Sequence, residues 1–242
     1  MAEVRFDEQV AATYDEDSRE RFDPALLGPT VDLLEELAEG GPVLEFAVGT
    51  GRVALPLTER GLAVSGLDIS EPMLARLRAN QGARAMSLTT GDFTSTRIGG
   101  AFSLVYLVFN TIMNVTSQEE QVATFRNAAA HLAPGGHVVV EVGVPALQRL
   151  PPGETVRAFA LTPEHLGFDE YDVVTQTLWS HHYRFVSGPA RVSSAPYRYV
   201  WPAELDLMAQ LAGLELRHRW ADWTRAPFTS DSAAHVSVRQ QP

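Results

Sequence analysis

The sequence predicts an α/β protein built on a doubly wound, mostly parallel seven-stranded sheet, with a small antiparallel β insertion after the fifth strand. Three observations carry this. Strand-like and helix-like runs alternate from about residue 42 to 144, and each strand run is nearly continuous in apolar residues, as strands covered on both faces are. The run "VLEFAVGTGRVAL" sets a glycine loop between a strand and a helix. A last helix–strand–strand unit after residue 201 supplies strands six and seven.

The elements follow in order. Residues 24–39 have helical spacing and are closed by Gly40-Gly41. "PVLEFA" is a short buried strand and 51–60 a helix; "LAVSGLD" is the second strand. "SEPMLARLRAN" is a helix with Ser70 as N-cap. "ARAMSLTTGDF" is the third strand and "AFSLVYLVF" the fourth. Ser117 and Glu120 form a capping box that opens a helix running to about 132, and "PGGHVVVEVGV" is the fifth strand. Residues 146–170, punctuated by Pro and Gly, read as loop. "VVTQTLWSHHYRFV" and "ARVSSAPYRYV" are strand-like and joined by an "SGP" turn. "PAELDLMAQLAG" is a helix with Pro202 in its first turn and Gly213 at its end, and "LELRHRWADW" and "AAHVSVRQ" are the final strands. The expected division is a core over 1–145 with an N-terminal capping segment, an insertion or lid over 146–201, and completion of the sheet by 202–242.

Composition narrows the chemistry. The 242 residues suit one large domain, or one domain with an insertion. A formal net charge of −11 weighs against nucleic acid, whose binding rests on cationic side chains. No apolar run approaches the roughly 20 residues of a membrane span. The acidic N-terminus lacks the apolar region of a signal peptide, so a cytoplasmic location is expected. There is no cysteine, and all 19 basic residues are arginine. Thiolate nucleophiles, Schiff-base lysines and the phosphate-gripping lysine of a P-loop are therefore absent.

The glycine loop alone is ambiguous, since Gly49, Gly51 and Ala54 also satisfy G-x-G-x-x-A. Three acids fall where the crevice of an open sheet should lie. Glu45 is within the first strand, Asp68 ends the second and Asp92 follows the third. Asp68 suits a ribose diol and would repel a 2′-phosphate. An acid such as Glu45 a few ångströms from a pyrophosphate would cost about 1–4 kcal/mol in wet surroundings, but it would favour a cation. Asp92-Phe93 offers a carboxylate and a ring to an adenine edge.

These motifs, "LEFAVGTGR", "GLDIS", "MLARLR", "GDF" and "LVYLVFNTIMNV" followed by "LAPGGHVVVEV", resemble the class I S-adenosylmethionine-dependent methyltransferases. The resemblance covers about residues 10–145 and the terminal strand pair, and lies nearest the small-molecule branch, such as bacterial sugar N,N-dimethyltransferases. It implies S-adenosylmethionine as cofactor, left as S-adenosylhomocysteine, and a small-molecule acceptor. It places Glu45, Gly49 and Gly51 around the methionyl part and Asp68 on the ribose. Ile69 and Met73 would pack on adenine, with Asp92 and Phe93 at its rim. Phe109 would lie behind the sulfonium and Tyr14 would close over the cofactor. One departure is Ala47, which stands where the family loop has its first glycine.

Two other readings of the same loop stay open: a nicotinamide-dependent oxidoreductase, and a non-catalytic cofactor-binding protein. Without lysine a Tyr-x-x-x-Lys pair is impossible.

For the acceptor side, Asn110 and Asn114 follow the fourth strand and could orient a hydroxyl or amine. "VFNTIMN" lacks the Pro-Pro-aromatic signature of nucleic-acid adenine methyltransferases. Strand alternation sets Trp179, His181, Tyr183 and Phe185 on one face, and Tyr197, Tyr199 and Trp201 on one face of the partner strand. That aromatic surface either packs on the domain or a second subunit, making a homodimer, or forms a lid over the acceptor with His181 as general base. The acids of "FDEYD" (168–172) read as solvated surface, and no His/Asp/Glu spacing suggests a metal.

Overall fold

The computed structural model describes residues 6–185 and 190–242. The "SGP" turn expected at 187–189 lies outside them.

Helix α1 (Glu8–Asp17) is capped by Asp7, whose carboxylate accepts from Val10 N–H. Helix α2 (Pro24–Ala38) starts at a proline behind the Asp23 cap and stops where Glu39 turns left-handed. Strand β1 (Val43–Phe46) and helix α3 (Ala54–Glu59) then flank the glycine loop. Strand β2 (Val64–Asp68) leads to helix α4 (Glu71–Ala79), where the Ser70 hydroxyl accepts from Met73 N–H at 3.3 Å. Strands β3 (Ser87–Thr90) and β4 (Phe102–Leu107), helix α5 (Gln118–Ala129) and strand β5 (Leu132–Gly143) follow. After four more strands, helix α6 (Pro202–Leu211) and the two last strands close the core; they are numbered in chain order, β6 (Val156–Leu161), β7 (His165–Asp172), β8 (Thr177–Arg184), β9 (Arg191–Arg198), β10 (Glu215–Trp220) and β11 (Ala234–Gln240).

The main sheet has the order β10-β11-β5-β4-β1-β2-β3. β1 to β5 are mutually parallel where they pair, and β11 runs antiparallel to both β5 and β10. The switch point lies between β1 and β4, so the loops after these strands open onto one crevice. Alternation feeds two cores: Leu44, Phe46, Val105 and Val140 pack toward α5 and α6, while Val43, Leu104 and Val139 pack toward α2, α3 and α4.

Two expected elements differ. The third strand does not begin at residue 83: Gln81–Ala85 is a short 3-10 helix, because Asn80 caps Gly82 N–H and tightens the turn. Residues 146–170 are not loop throughout. β6 and β7 form an antiparallel hairpin that extends the expected pair of strands to a four-stranded sheet, β6-β7-β8-β9. The Thr162 hydroxyl, which accepts from His165 N–H at 3.0 Å, makes a tight turn without the glycine that usually announces one.

A buried polar knot fixes this second sheet to the core. Arg198, at the end of β9, bonds Gln121 of α5, Gln176, and Glu204 of α6 at 2.7 Å. Among the described residues no helix is long and apolar enough to cross a membrane.

Candidate active site

Between the main sheet's switch point and the second sheet lies a cavity of about 590 Å³. That is within the range of small-molecule sites. Its floor is the crevice and its roof is one face of the β6–β9 sheet.

At the floor, Ala47 and Gly49 line the cavity, both at φ near +56°. This conformation is easy for glycine and costs alanine roughly 1–2 kcal/mol. Asp68 ends β2 with its carboxylate facing the loop: Oδ2 accepts from Gly49 N–H at 2.8 Å and Oδ1 from Ser70 N–H at 2.8 Å. Burial raises its pKa, while these N–H groups oppose the rise. Ile69, Met73 and Phe93 complete an apolar wall beside it.

Phe109 and Asn110, after β4, both have left-handed backbone (φ 60° and 58°), a strain that clusters at functional sites. Phe109 N–H donates to Glu141 at 2.8 Å, and the Arg21 guanidinium sits 3.5 Å over the Phe109 ring. Asn110 Oδ1 accepts from Gly143 N–H at 2.7 Å, tying the ends of β4 and β5 together. Tyr14 from α1 closes one side, edge-on to Phe6, its hydroxyl pKa raised by burial. The Asp15 carboxylate accepts from the Thr50 hydroxyl at 2.6 Å, clamping α1 onto the glycine loop.

Four predicted residues are not in the cavity wall. Glu45 is buried behind it, accepting from the Tyr106 hydroxyl at 2.8 Å and from Ala54 N–H at the start of α3. Burial pushes its pKa up to about 8, which favours the neutral form near pH 7 and weakens the repulsion of a pyrophosphate expected from it. Gly51 (φ +88°) serves packing: a Cβ there would overlap Leu77 and meet Leu55 at 3.1 Å. Asp92 uses its carboxylate on Thr94 N–H at 2.8 Å, turning its own loop.

His181 is the fourth. On β8 the cavity face carries Leu178 and Ser180, so alternation turns His181 to the opposite face. There it stacks on Phe168 at 4.8 Å and bonds Ser194 through Nδ1 at 2.8 Å. Trp179 stacks on it from the same side. The aromatic residues of β9 do not join them. Tyr197 pairs with Leu178 across the ladder, so Tyr197 and Tyr199 line the cavity and the two aromatic faces lie on opposite sides of the sheet. His181→Ala is therefore expected to keep the steady-state turnover within about threefold of wild type, whereas loss of a general base would cost about 10²–10⁴-fold.

The sequence reading missed most of the roof: Arg157 and Phe159 on β6, and Asp169 and Tyr171 on β7. Asp169 is not solvated surface as the "FDEYD" run implied. It accepts a bond from Ser180, and burial pushes its pKa up. No sequence signal marked this hairpin, because its alternation mixes charged and apolar residues on both faces. Among the described residues no group of three or more His, Cys, Asp or Glu could hold a metal ion.

A parallel sheet with a glycine loop at its switch point, an acid ending the second strand and a covered cavity defines an adenosine-cofactor enzyme of the nucleotide-binding α/β class. A methyltransferase domain family matches residues 43–136. The CcbJ methyltransferase from Streptomyces caelestis superposes with a TM-score of 0.79 at 39% identity, over 88% of each chain. A cypemycin N-terminal methyltransferase from a Streptomyces species is 29% identical over 95% of this chain and 98% of its own. CalS10 from Micromonospora echinaspora, an amino pentose methyltransferase solved with S-adenosylmethionine, shares the fold at a TM-score of 0.73, with 18% identity over 95% of this chain. The chain belongs to the class I S-adenosylmethionine-dependent methyltransferases.

Proposed function

We propose that this enzyme binds S-adenosylmethionine on the floor of the cavity and transfers its methyl group to nitrogen or oxygen of a small organic acceptor held under the roof. The observation that carries the reading is one cavity with two unlike halves: the strained, acid-gated loop region below and an aromatic, polar wall above. The residues fit the cofactor. The Ala47–Gly49 backbone is bare enough to approach the methionyl part, and Asp68 has the position for the ribose hydroxyls. Ile69, Met73 and Phe93 offer an apolar wall to adenine, with Phe109 toward the sulfonium and Tyr14 over the top. Glu45, Gly51 and Asp92 act behind this wall, by holding strand, loop and turn in place.

The bound cofactor supplies a sulfonium methyl that a lone pair displaces in line. The chain's part is alignment and exclusion of water, and near-attack positioning can provide about 7–11 kcal/mol. Asn110 fixes the mouth of the two strands and keeps its amide nitrogen without a bond among the described residues, available to an acceptor. The names of the relatives, an N-terminal and an amino pentose methyltransferase, support nitrogen over oxygen.

The test is calorimetric titration with S-adenosylhomocysteine and, separately, NAD, followed by labelled methyl transfer into small-molecule extracts. Binding of the first alone, with label appearing in a small-molecule fraction, fits the proposal. Binding of NAD would sink the cofactor assignment, and binding without any transfer would favour a non-catalytic protein.

A further inference from the structure

The roof of the cavity has a composition that the cofactor does not use. Among the described residues three charged side chains line the cavity: Asp68 is committed to the floor, and Arg157 and Asp169 are in the roof. They are Cα partners in the β6–β7 ladder, and in the neighbouring β7–β8 ladder Asp169 is partnered by Ser180. Among the described residues neither Arg157 nor Asp169 is in an ion pair, and the Asp169 carboxylate accepts from the Ser180 hydroxyl. Arg157 acts on it at a distance, favouring the ionised form against the cost of burial. Tyr171, Tyr197 and Phe159 line the same roof.

A partly buried carboxylate among aromatic rings has a specific chemical complement. The rings present negative faces and the carboxylate a full charge, so both favour a cation and neither favours an alcohol. A neutral hydroxyl would leave the charge partly desolvated, with Arg157 balancing it only at a distance. We propose that Asp169 is the counter-ion for a protonated amine carried by the acceptor, and that it sets the enzyme's preference for aminated over hydroxylated molecules. The proposal rests on the reading of the cavity as cofactor floor and acceptor roof.

The test uses benzylammonium and benzyl alcohol, which share an aromatic body and differ in charge. Each is titrated at pH 8 into wild type, Asp169→Asn and Arg157→Gln, all saturated with S-adenosylhomocysteine. Saturation is measured first, so a failure of the cofactor reading shows there, and it reports whether each variant is folded. In wild type benzylammonium is expected to bind about 10–100-fold more tightly than the alcohol, the range of a charge-assisted bond. Asp169→Asn brings the two ligands to similar affinity while S-adenosylhomocysteine binding stays unchanged. Arg157→Gln removes a repulsive neighbour and strengthens benzylammonium binding by about threefold. Equal binding of the two ligands by wild type, no binding of either, a preference that survives Asp169→Asn, or weaker benzylammonium binding in Arg157→Gln would each overturn the assignment.

Discussion

Asp68→Ala is expected to weaken S-adenosylhomocysteine binding by about 100–1,000-fold, read by calorimetry at neutral pH. The carboxylate joins two parts of the floor. It accepts from Gly49 N–H in the loop after β1 and from Ser70 N–H at the cap of α4, both at 2.8 Å. Truncation leaves these buried donors unpaired, at about 1–3 kcal/mol each, and removes the acceptor proposed for the ribose. The loop then loses the tie that keeps Gly49 at φ +56°. Asp68→Asn preserves shape but presents only one acceptor oxygen to two donors, so an intermediate loss of about tenfold is expected. Unchanged affinity in Asp68→Ala would show that the ligand sits elsewhere, and the assignment of the floor would fall.

The second large effect is on stability. Glu45 has a pKa of about 8 in the folded protein against 4.5 as an ordinary carboxyl. Between these values the folded state holds a proton that the unfolded state has lost, so stability falls as pH rises. His235 works in the opposite sense over a lower window. Buried and neutral, with a pKa depressed to about 3 against 6.5, it makes the protein less stable as pH falls below 6.5. The two slopes oppose each other between 4.5 and 6.5 and leave Glu45 dominant above 6.5.

At 1.36 kcal/mol per unit, wild type should lose up to about 2 kcal/mol between pH 6.5 and 8. For a chain of this size that is about 4–8 °C in Tm. Glu45→Gln keeps a neutral partner for the Tyr106 hydroxyl and should flatten this limb in thermal denaturation scans. A wild-type Tm that stays constant over the same range would mean that Glu45 is ionised in the fold, and the electrostatic argument from sequence would regain its force.

The sequence by itself determined the main sheet and much of the cavity floor. Strand runs covered on both faces must be apolar throughout, helix ends need caps, and a backbone that comes close to a ligand needs glycine; each requirement is local and leaves a local mark. Gly49, Asp68, Ile69, Met73, Phe93 and Phe109 are sites that the family resemblance implies from the motifs around them, and with Ala47 they all line the cavity. Tertiary structure alone decided which carboxylates are sealed in the core and which face of the insertion lines the cavity. Glu45 and Asp68 look alike in sequence, yet one is sealed against Tyr106 and the other opens onto the cavity. On β8 the aromatic pattern drew attention to His181, but ladder register and the anchor at Arg198 turn Leu178 and Ser180 inward. A strand's alternation says which residues share a face, and only its packing against the rest of the chain says which face looks in.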